Sequence, residues 1–236
     1  MFERRFHIGS NDVDPHFELK ISSLFRFLQE AATEHAEVIG VGKDVTFKKG
    51  MFWVISRYSV SIFDIPKYLD DIVVKTYPGK SLKFIFPRYF RIETLDGKLL
   101  AQASSTWAVL EEKEHKIVTN PFPGFVFPSE HLDDEEKLPK RISEEGKELV
   151  SNRKVLYSDL DLNRHLNNSK YIEYIIDIHN LSFYDNHKIK HIDINFDHEI
   201  KDGDEVKLFV TSNQGSEIIT GKVDDQIMFN AFIEYR

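Results

Sequence analysis

Residues 158–178 read SDLDLNRHLNNSKYIEYIIDI. Asp161, Asn163, His165 and Asn167 stand at alternate positions, with Leu160, Leu162 and Leu166 between them and Arg164 as the one polar interruption. In an extended segment that spacing puts the polar set on one side and the leucines on the other. The pattern then changes. Tyr171, Ile172, Ile175 and Ile176 recur at helical spacing, which predicts a buried helix over about 168–180. Asn167 or Asn168 is its expected N-cap. Carboxylate, amide and imidazole would then run into the positive end of an apolar helix, where negative charge, including a developing oxyanion, is stabilised. A polar loop whose Asn and Asp residues merely make turns fits the same letters. A calcium loop does not. Asp159, Asp161 and Asn163 match its first ligands, but Arg164 stands where the sharp turn needs Gly and Lys170 where a bidentate Glu is needed.

Around this stretch the chain reads as two similar halves. In the first, Phe2 to Ile8 and Phe17 to Ile21 are strand-like. Ser22 and Ser23 offer caps to a helix carrying Leu24, Phe27, Leu28, Ala31, His35, Val38 and Ile39 on one face, closed by Gly40 and Gly42. His35 reads as a hydrogen-bonded core residue. Strands are expected over Met51–Phe63, Asp71–Tyr77, Leu82–Thr94, Leu99–Glu111 and Lys116–Thr119, with an Asp96–Gly97 hairpin turn. In the second half, Arg153–Ser158 is strand-like and leads to the quoted stretch. Strands follow over Ile189–Phe196, Glu205–Ser212, Glu217–Val223 and Ile227–Tyr235. Between the halves a charged linker is expected. The expected division is 1–128, linker 129–148 and 149–236. Each half is a buried helix against a curled antiparallel sheet, an α+β arrangement that closes a small core. The order of elements implies duplication, although no strong repeat is read at the level of residues.

Composition narrows the function. With 236 residues and 41% hydrophobic residues, the chain can bury a core in each half. There are 19 Phe, many on strand-like segments, which favours a β-rich core or an apolar pocket. Cys is absent, so no disulfide, thiolate nucleophile or Cys-ligated zinc is available, and a reducing compartment is expected. The start, MFERRFHIGS, has no apolar leader and no apolar run is long enough to span a membrane. A cytoplasmic location without stable membrane insertion is the expectation. The net charge of −8 argues against nucleic acid as a partner. Nothing calls for a cofactor or a metal.

YSDLDLNRHLNNSKYIEYIID resembles the acyl-acyl-carrier-protein thioesterases of bacteria and plant plastids. So do FLQEAATEHAEVIG, MFWVISRYSV, AQASSTWAVLEEKEHKIV and INFDHEIKDGDEV, over nearly the whole chain. The resemblance implies a tandem (double) hot-dog fold, each half a long helix wrapped by an antiparallel sheet. It implies hydrolysis of the thioester that joins a fatty acyl chain to the phosphopantetheine arm of acyl carrier protein. The family's catalytic positions fall on Asp161, Asn163, His165 and Glu199. Many plant members carry Cys after that Glu, where this chain has Ile200, so a Cys nucleophile is excluded here.

Thioester hydrolysis needs an activated water or a carboxylate nucleophile, and donors for the oxyanion. Glu199 is the expected general base on water, with direct carboxylate attack as the alternative. Asn163 and His165 would position water or carbonyl, Asp161 would orient them, and a helix-start amide would help hold the oxyanion. The competing assignment makes Asp161 the base. By analogy the first half holds the acyl chain, with Phe27, Ala31, Met51, Trp53 and Ile55 as lining candidates, although core packing explains each as well. Acyl carrier protein is acidic and so is this chain, so docking needs a local basic cluster. The candidates are Lys80, Lys83, Arg88, Arg91, Lys137, Lys140 and Arg141. Pairing through sheet edges, usual in hot-dog proteins, allows a homodimer. Rival readings are an acyl-CoA thioesterase of the same fold and a non-catalytic acyl-binding module.

Overall fold

The computed structural model describes residues 1–128 and 137–236. Residues 129–136 of the expected linker lie outside the described residues. The chain divides into two compact units, residues 1–19 with 27–139, and residues 20–26 with 140–236.

The first unit holds β1 (Phe2–His7), most of α1 (Ile21–Val38), α2 (Lys43–Lys48), β2 (Met51–Ile62), β3 (Asp71–Pro78), β4 (Phe86–Thr94) and β5 (Leu99–Glu111). Its strands run antiparallel in the order β1-β3-β4-β5-β2. The buried face of α1 carries Phe27, Leu28, Ala31, Ala32 and His35, the recurrence expected of a helix lying on a sheet. Phe27 stacks on Phe6 of β1 at 4.3 Å between ring centroids. The β4–β5 hairpin turns at Gly97, whose φ of 89° suits a residue without Cβ.

The second unit holds β6 (Glu148–Lys154), α3 (Asn168–Ile176), α4 (Leu181–Tyr184), β7 (Ile189–Phe196), β8 (Glu205–Asn213), β9 (Ser216–Val223) and β10 (Gln226–Tyr235). Its order is β6-β8-β9-β10-β7, again antiparallel. Helix α3 buries Tyr171, Ile172, Tyr174 and Ile175. Tyr171 meets Phe196 of β7 and Phe229 of β10 edge-on at 5.1 and 5.2 Å. A buried helix with a five-stranded antiparallel sheet thus occurs twice, the tandem hot-dog arrangement that the sequence led us to expect. No helix among the described residues is long and apolar enough to cross a membrane.

Several local expectations fail. Residues 17–20 form no strand and make only isolated bridges, and Ile21 already starts α1, so Ser22 and Ser23 sit inside its first turn rather than capping it. Leu82 and Ile85 close a turn on each other by two backbone bonds of 2.8 and 3.0 Å, so β4 begins only at Phe86. Ile117 makes a single bridge to Leu110 instead of a strand. Strand β6 starts inside the expected linker and ends at Lys154, not Ser158. Helix α3 stops at Ile176 because Asn180 caps the next helix, accepting the Phe183 amide at 3.2 Å.

Candidate active site

The stretch from Leu160 to Asn167 is a tight loop rather than the extended segment its alternation implies. Leu160 and Leu166 form an antiparallel bridge across it. Within the loop, Asp161 Oδ1 accepts the backbone amides of Asn163 (2.8 Å) and His165 (3.1 Å). The Asp161 amide donates to the His165 carbonyl at 2.8 Å, and Arg164 turns with φ of 65°. An Asp side chain that takes the amides two and four residues ahead replaces a strand's ladder with a local turn. The leucines therefore do not share a face: Leu166 is buried, whereas Leu162 is 85% exposed. Asn167 caps α3 as expected, its Oδ1 accepting the Ser169 amide at 3.0 Å.

A second loop, after β7, completes the site. The Leu166 amide donates to the Ile200 carbonyl at 2.8 Å, and His165 pairs with Lys201 as an antiparallel bridge. Gly203, at φ of 81°, turns the chain back, and Asp204 Oδ2 accepts the Lys201 amide at 2.8 Å. This backbone stitching sets Glu199 Oε2 3.2 Å from His165 Nε2. The two side chains keep 17% and 27% exposure, so the pair is partly shielded yet open to a substrate. Tyr171 of α3 lies in the field of both Glu199 and Asp161. Burial pushes its hydroxyl pKa well up, the Ile200 backbone amide pulls it back, and the carboxylates of Glu199, Asp161 and Asp204 add to the rise. It stays a neutral phenol at any working pH.

The carboxylate and the imidazole are therefore brought together as expected. Asp161 reaches Asn163 and His165 through their backbone amides rather than their side chains. The Asn163 side chain is exposed and makes no side-chain hydrogen bond among the described residues, which leaves its carboxamide available to a ligand. The helix-start amides are less available than expected, because Asn167 takes the Ser169 amide and, through its carbonyl, the Lys170 amide. Asp197 and His198 are exposed and tied by their amides to the Met228 carbonyl. Sequence reasoning placed Tyr171 only on the apolar face of its helix, and its polar neighbours gave no sequence signal.

The five lining candidates all lie in the first unit. Phe27, Ala31, Met51 and Ile55 are buried. Trp53 stacks on Phe122 at 5.5 Å, meets Phe86 edge-on at 5.1 Å, and donates from Nε1 to the Val41 carbonyl at 2.8 Å. Met51 packs in the same cluster. Two of the docking candidates are withdrawn. Arg88 is buried, with Nη1 3.0 Å from His35 Nδ1 and 3.2 Å from Thr76 Oγ1, and burial pulls its pKa down to about 10. Arg91 is bound to Glu93 at 3.0 Å. Lys80, Lys83, Lys137, Lys140 and Arg141 are exposed.

The first unit contains the same two loops. Residues 12–19 read DVDPHFEL and residues 159–166 read DLDLNRHL. Asp14 Oδ1 accepts the His16 and Glu18 amides at 2.8 and 3.1 Å, as Asp161 does for Asn163 and His165. Phe17 takes φ of 62°, as Arg164 does. Leu19 donates to the Pro66 carbonyl, Glu18 bridges Lys67, and Asp70 Oδ2 accepts the Lys67 amide. The repeat that escaped the sequence comparison is thus plain in the hydrogen bonds. His16, Glu18 and Ile65 occupy the places of Asn163, His165 and Glu199.

Models of the acyl-ACP thioesterase N-terminal and C-terminal domains match residues 1–121 and 142–231. The palmitoyl-acyl carrier protein thioesterase, chloroplastic, of Cuphea hookeriana is 28% identical over 192 residues, covering 75% of this chain and 46% of the relative. This chain spans about half the length of the curated relatives it first matches. The crystal structure of an acyl-ACP thioesterase from Bacteroides thetaiotaomicron shares the fold, with a TM-score of 0.91 at 23% identity over 99% of this chain and 97% of that one. So does the 12:0-ACP thioesterase from Umbellularia californica, with 0.83 at 24% identity over 100% and 96%. With both domain models matched across its two helix-and-sheet units, this chain belongs to the acyl-ACP thioesterase family.

Proposed function

We propose that this chain hydrolyses the thioester of a fatty acyl group carried by acyl carrier protein, releasing the free acid and the carrier thiol. The observation that supports this most is the His165–Glu199 pair at 3.2 Å, in the half matched by the family's C-terminal domain. Glu199 accepts a proton from water as the water oxygen attacks the thioester carbonyl. The Asn163 carboxamide donates to the oxyanion. Collapse expels the thiolate, which takes the proton from Glu199, directly or by way of His165. Nothing is consumed except water. No Cys is present to act as nucleophile. The acyl chain is assigned to the first unit, with Phe27, Ala31, Met51, Trp53 and Ile55 against it. Lys80, Lys83, Lys137, Lys140 and Arg141 are the cations proposed to meet the acidic carrier.

The test is to incubate purified protein with matched panels of carrier-bound and CoA-bound acyl chains and to quantify the released acids. Faster release from the carrier is expected. Equal or faster release from CoA would move the assignment to an acyl-CoA thioesterase, and binding without release to a silent acyl-binding module.

A further inference from the structure

We propose that Arg88 recognises a carboxylate inside the first unit, and that the acyl chains read there end in a carboxylate rather than a methyl group. This rests on the thioesterase reading above and on its assignment of the acyl chain to the first unit. It names a substrate class for that reading: a dicarboxylic acid joined at one end to the carrier thiol.

The observation that carries it is a buried cation without a counter-charge. Arg88 stands between Phe86 and Phe90 on one row of β4 and is 7% exposed. Burial lowers its pKa to about 10, so it stays charged at neutral pH. Nη1 spends both hydrogens, on His35 Nδ1 at 3.0 Å and on Thr76 Oγ1 at 3.2 Å. Arginine only donates, so His35 Nδ1 is unprotonated and the ring is neutral. Thr76 in turn donates to the Tyr89 carbonyl at 3.0 Å. Among the described residues no carboxylate meets Arg88, and Nε and Nη2 find no acceptor. Those two nitrogens form the edge of a guanidinium that holds a carboxylate by two parallel hydrogen bonds. A buried charge is costly until a partner supplies the opposite one.

The surroundings suit a chain that ends at this point. Phe27, Ala31 and His35 follow at four-residue spacing on the buried face of α1, so a chain lying against Ala31 meets His35 and Arg88 about 6 Å further along the helix. Opposite Arg88 on β5 stands Ser105, fully buried, and opposite Ser105 on β2 stands Tyr58, 1% exposed. A polar belt thus crosses three strands of an otherwise apolar interior. A methyl end would meet a charged wall there, whereas a carboxylate end would meet a matching fork.

The experiment measures kcat/KM of the full chain on carrier-bound acyl chains made in matched pairs, one ending in methyl and one in carboxylate, over a series of lengths. Wild type, Arg88→Met and Arg88→Lys are compared. Wild type should favour the carboxylate-ended partner by about tenfold or more, and only within a narrow range of lengths, since a fixed cation reads a fixed distance. Arg88→Met should reverse the preference, losing at least about a hundredfold on the carboxylate-ended chain and gaining on its methyl-ended partner. Arg88→Lys keeps the charge but not the fork and should fall between the two. If Arg88→Met does not fold, Arg88→Lys and the wild-type length profile carry the test. A wild-type preference for methyl ends at every length, or variants that slow both partners in equal proportion, would overturn the proposal and leave Arg88 a packing residue. Inhibition by free monocarboxylic fatty acids that Arg88→Met abolishes would overturn it too, because the carboxylate read would then be that of the product. Failure of the parent reading is distinguishable, because wild-type protein would then be inert on both members of every pair.

Discussion

The contact between Glu199 and His165 predicts how the two residues fail together. The perturbations are Glu199→Gln, which keeps size and hydrogen bonding but removes the base, His165→Ala, and the double variant. At 3.2 Å and with about a quarter or less of each side chain exposed, the pair is close enough and shielded enough to act as one unit. A positioned acid–base group contributes about 10²–10⁴ in rate, or about 2.7–5.5 kcal/mol of barrier. Residues that work as a unit are not additive, so the double variant should be about as slow as the worse single one. Independent residues would instead multiply to about 10⁴–10⁸. The assay is single-turnover release of acid from carrier-bound acyl substrate, followed by mass spectrometry, with folding checked by thermal melting. Multiplying losses, or a Glu199→Gln protein that keeps more than about a third of wild-type kcat, would refute the unit.

Three further outcomes are expected. Ala31→Phe fills space on the buried face of α1 and should cut release of the longest accepted chains by about tenfold or more while sparing shorter ones, read from the acid profile; an unchanged profile removes Ala31 from the acyl site. At Gly221 an added Cβ would collide with the ring of Phe229, which is fully buried and edge-on to Tyr171, so Gly221→Ala should cost about 1–3 kcal/mol in a urea melt, and an unaltered midpoint would contradict the packing. Burial alone would raise the Glu93 pKa, but hydrogen bonds from Lys75 and Arg91 bring it below its ordinary value. Its contribution is then present above the unfolded pKa and lost as pH falls through the lower folded one. Glu93→Gln should therefore be less stable than wild type at neutral pH and lose less on acidification below roughly pH 4.5, whereas parallel melting-temperature curves would deny the effect.

The order of elements was readable because long alternating strands and two one-faced helices leave few alternatives. The loop at Asp161 misled for a physical reason. An aspartate that accepts the amides two and four residues ahead places polar residues at alternate positions, the same spacing that a half-buried strand produces. Glu199 could be placed beside His165 only through family resemblance, since the link is a backbone pairing of Leu166 with Ile200 that neither segment announces. The internal repeat hid behind DVDPHFEL and DLDLNRHL because only the two aspartates and the final leucine are shared, and those are the residues that hold the turn. Arg88 looked like a surface cation. Strand β4 instead buries Pro87 and Arg88 in succession, which strict alternation does not anticipate.

The most direct measurement is a crystal structure of this protein bound to a pantetheine-linked acyl ketone, in which a methylene replaces the thioester sulfur. The account predicts the ketone carbon within about 3.5 Å of a water held by Glu199, with its oxygen toward Asn163. A ketone bound elsewhere, with Glu199 and His165 untouched, would contradict it.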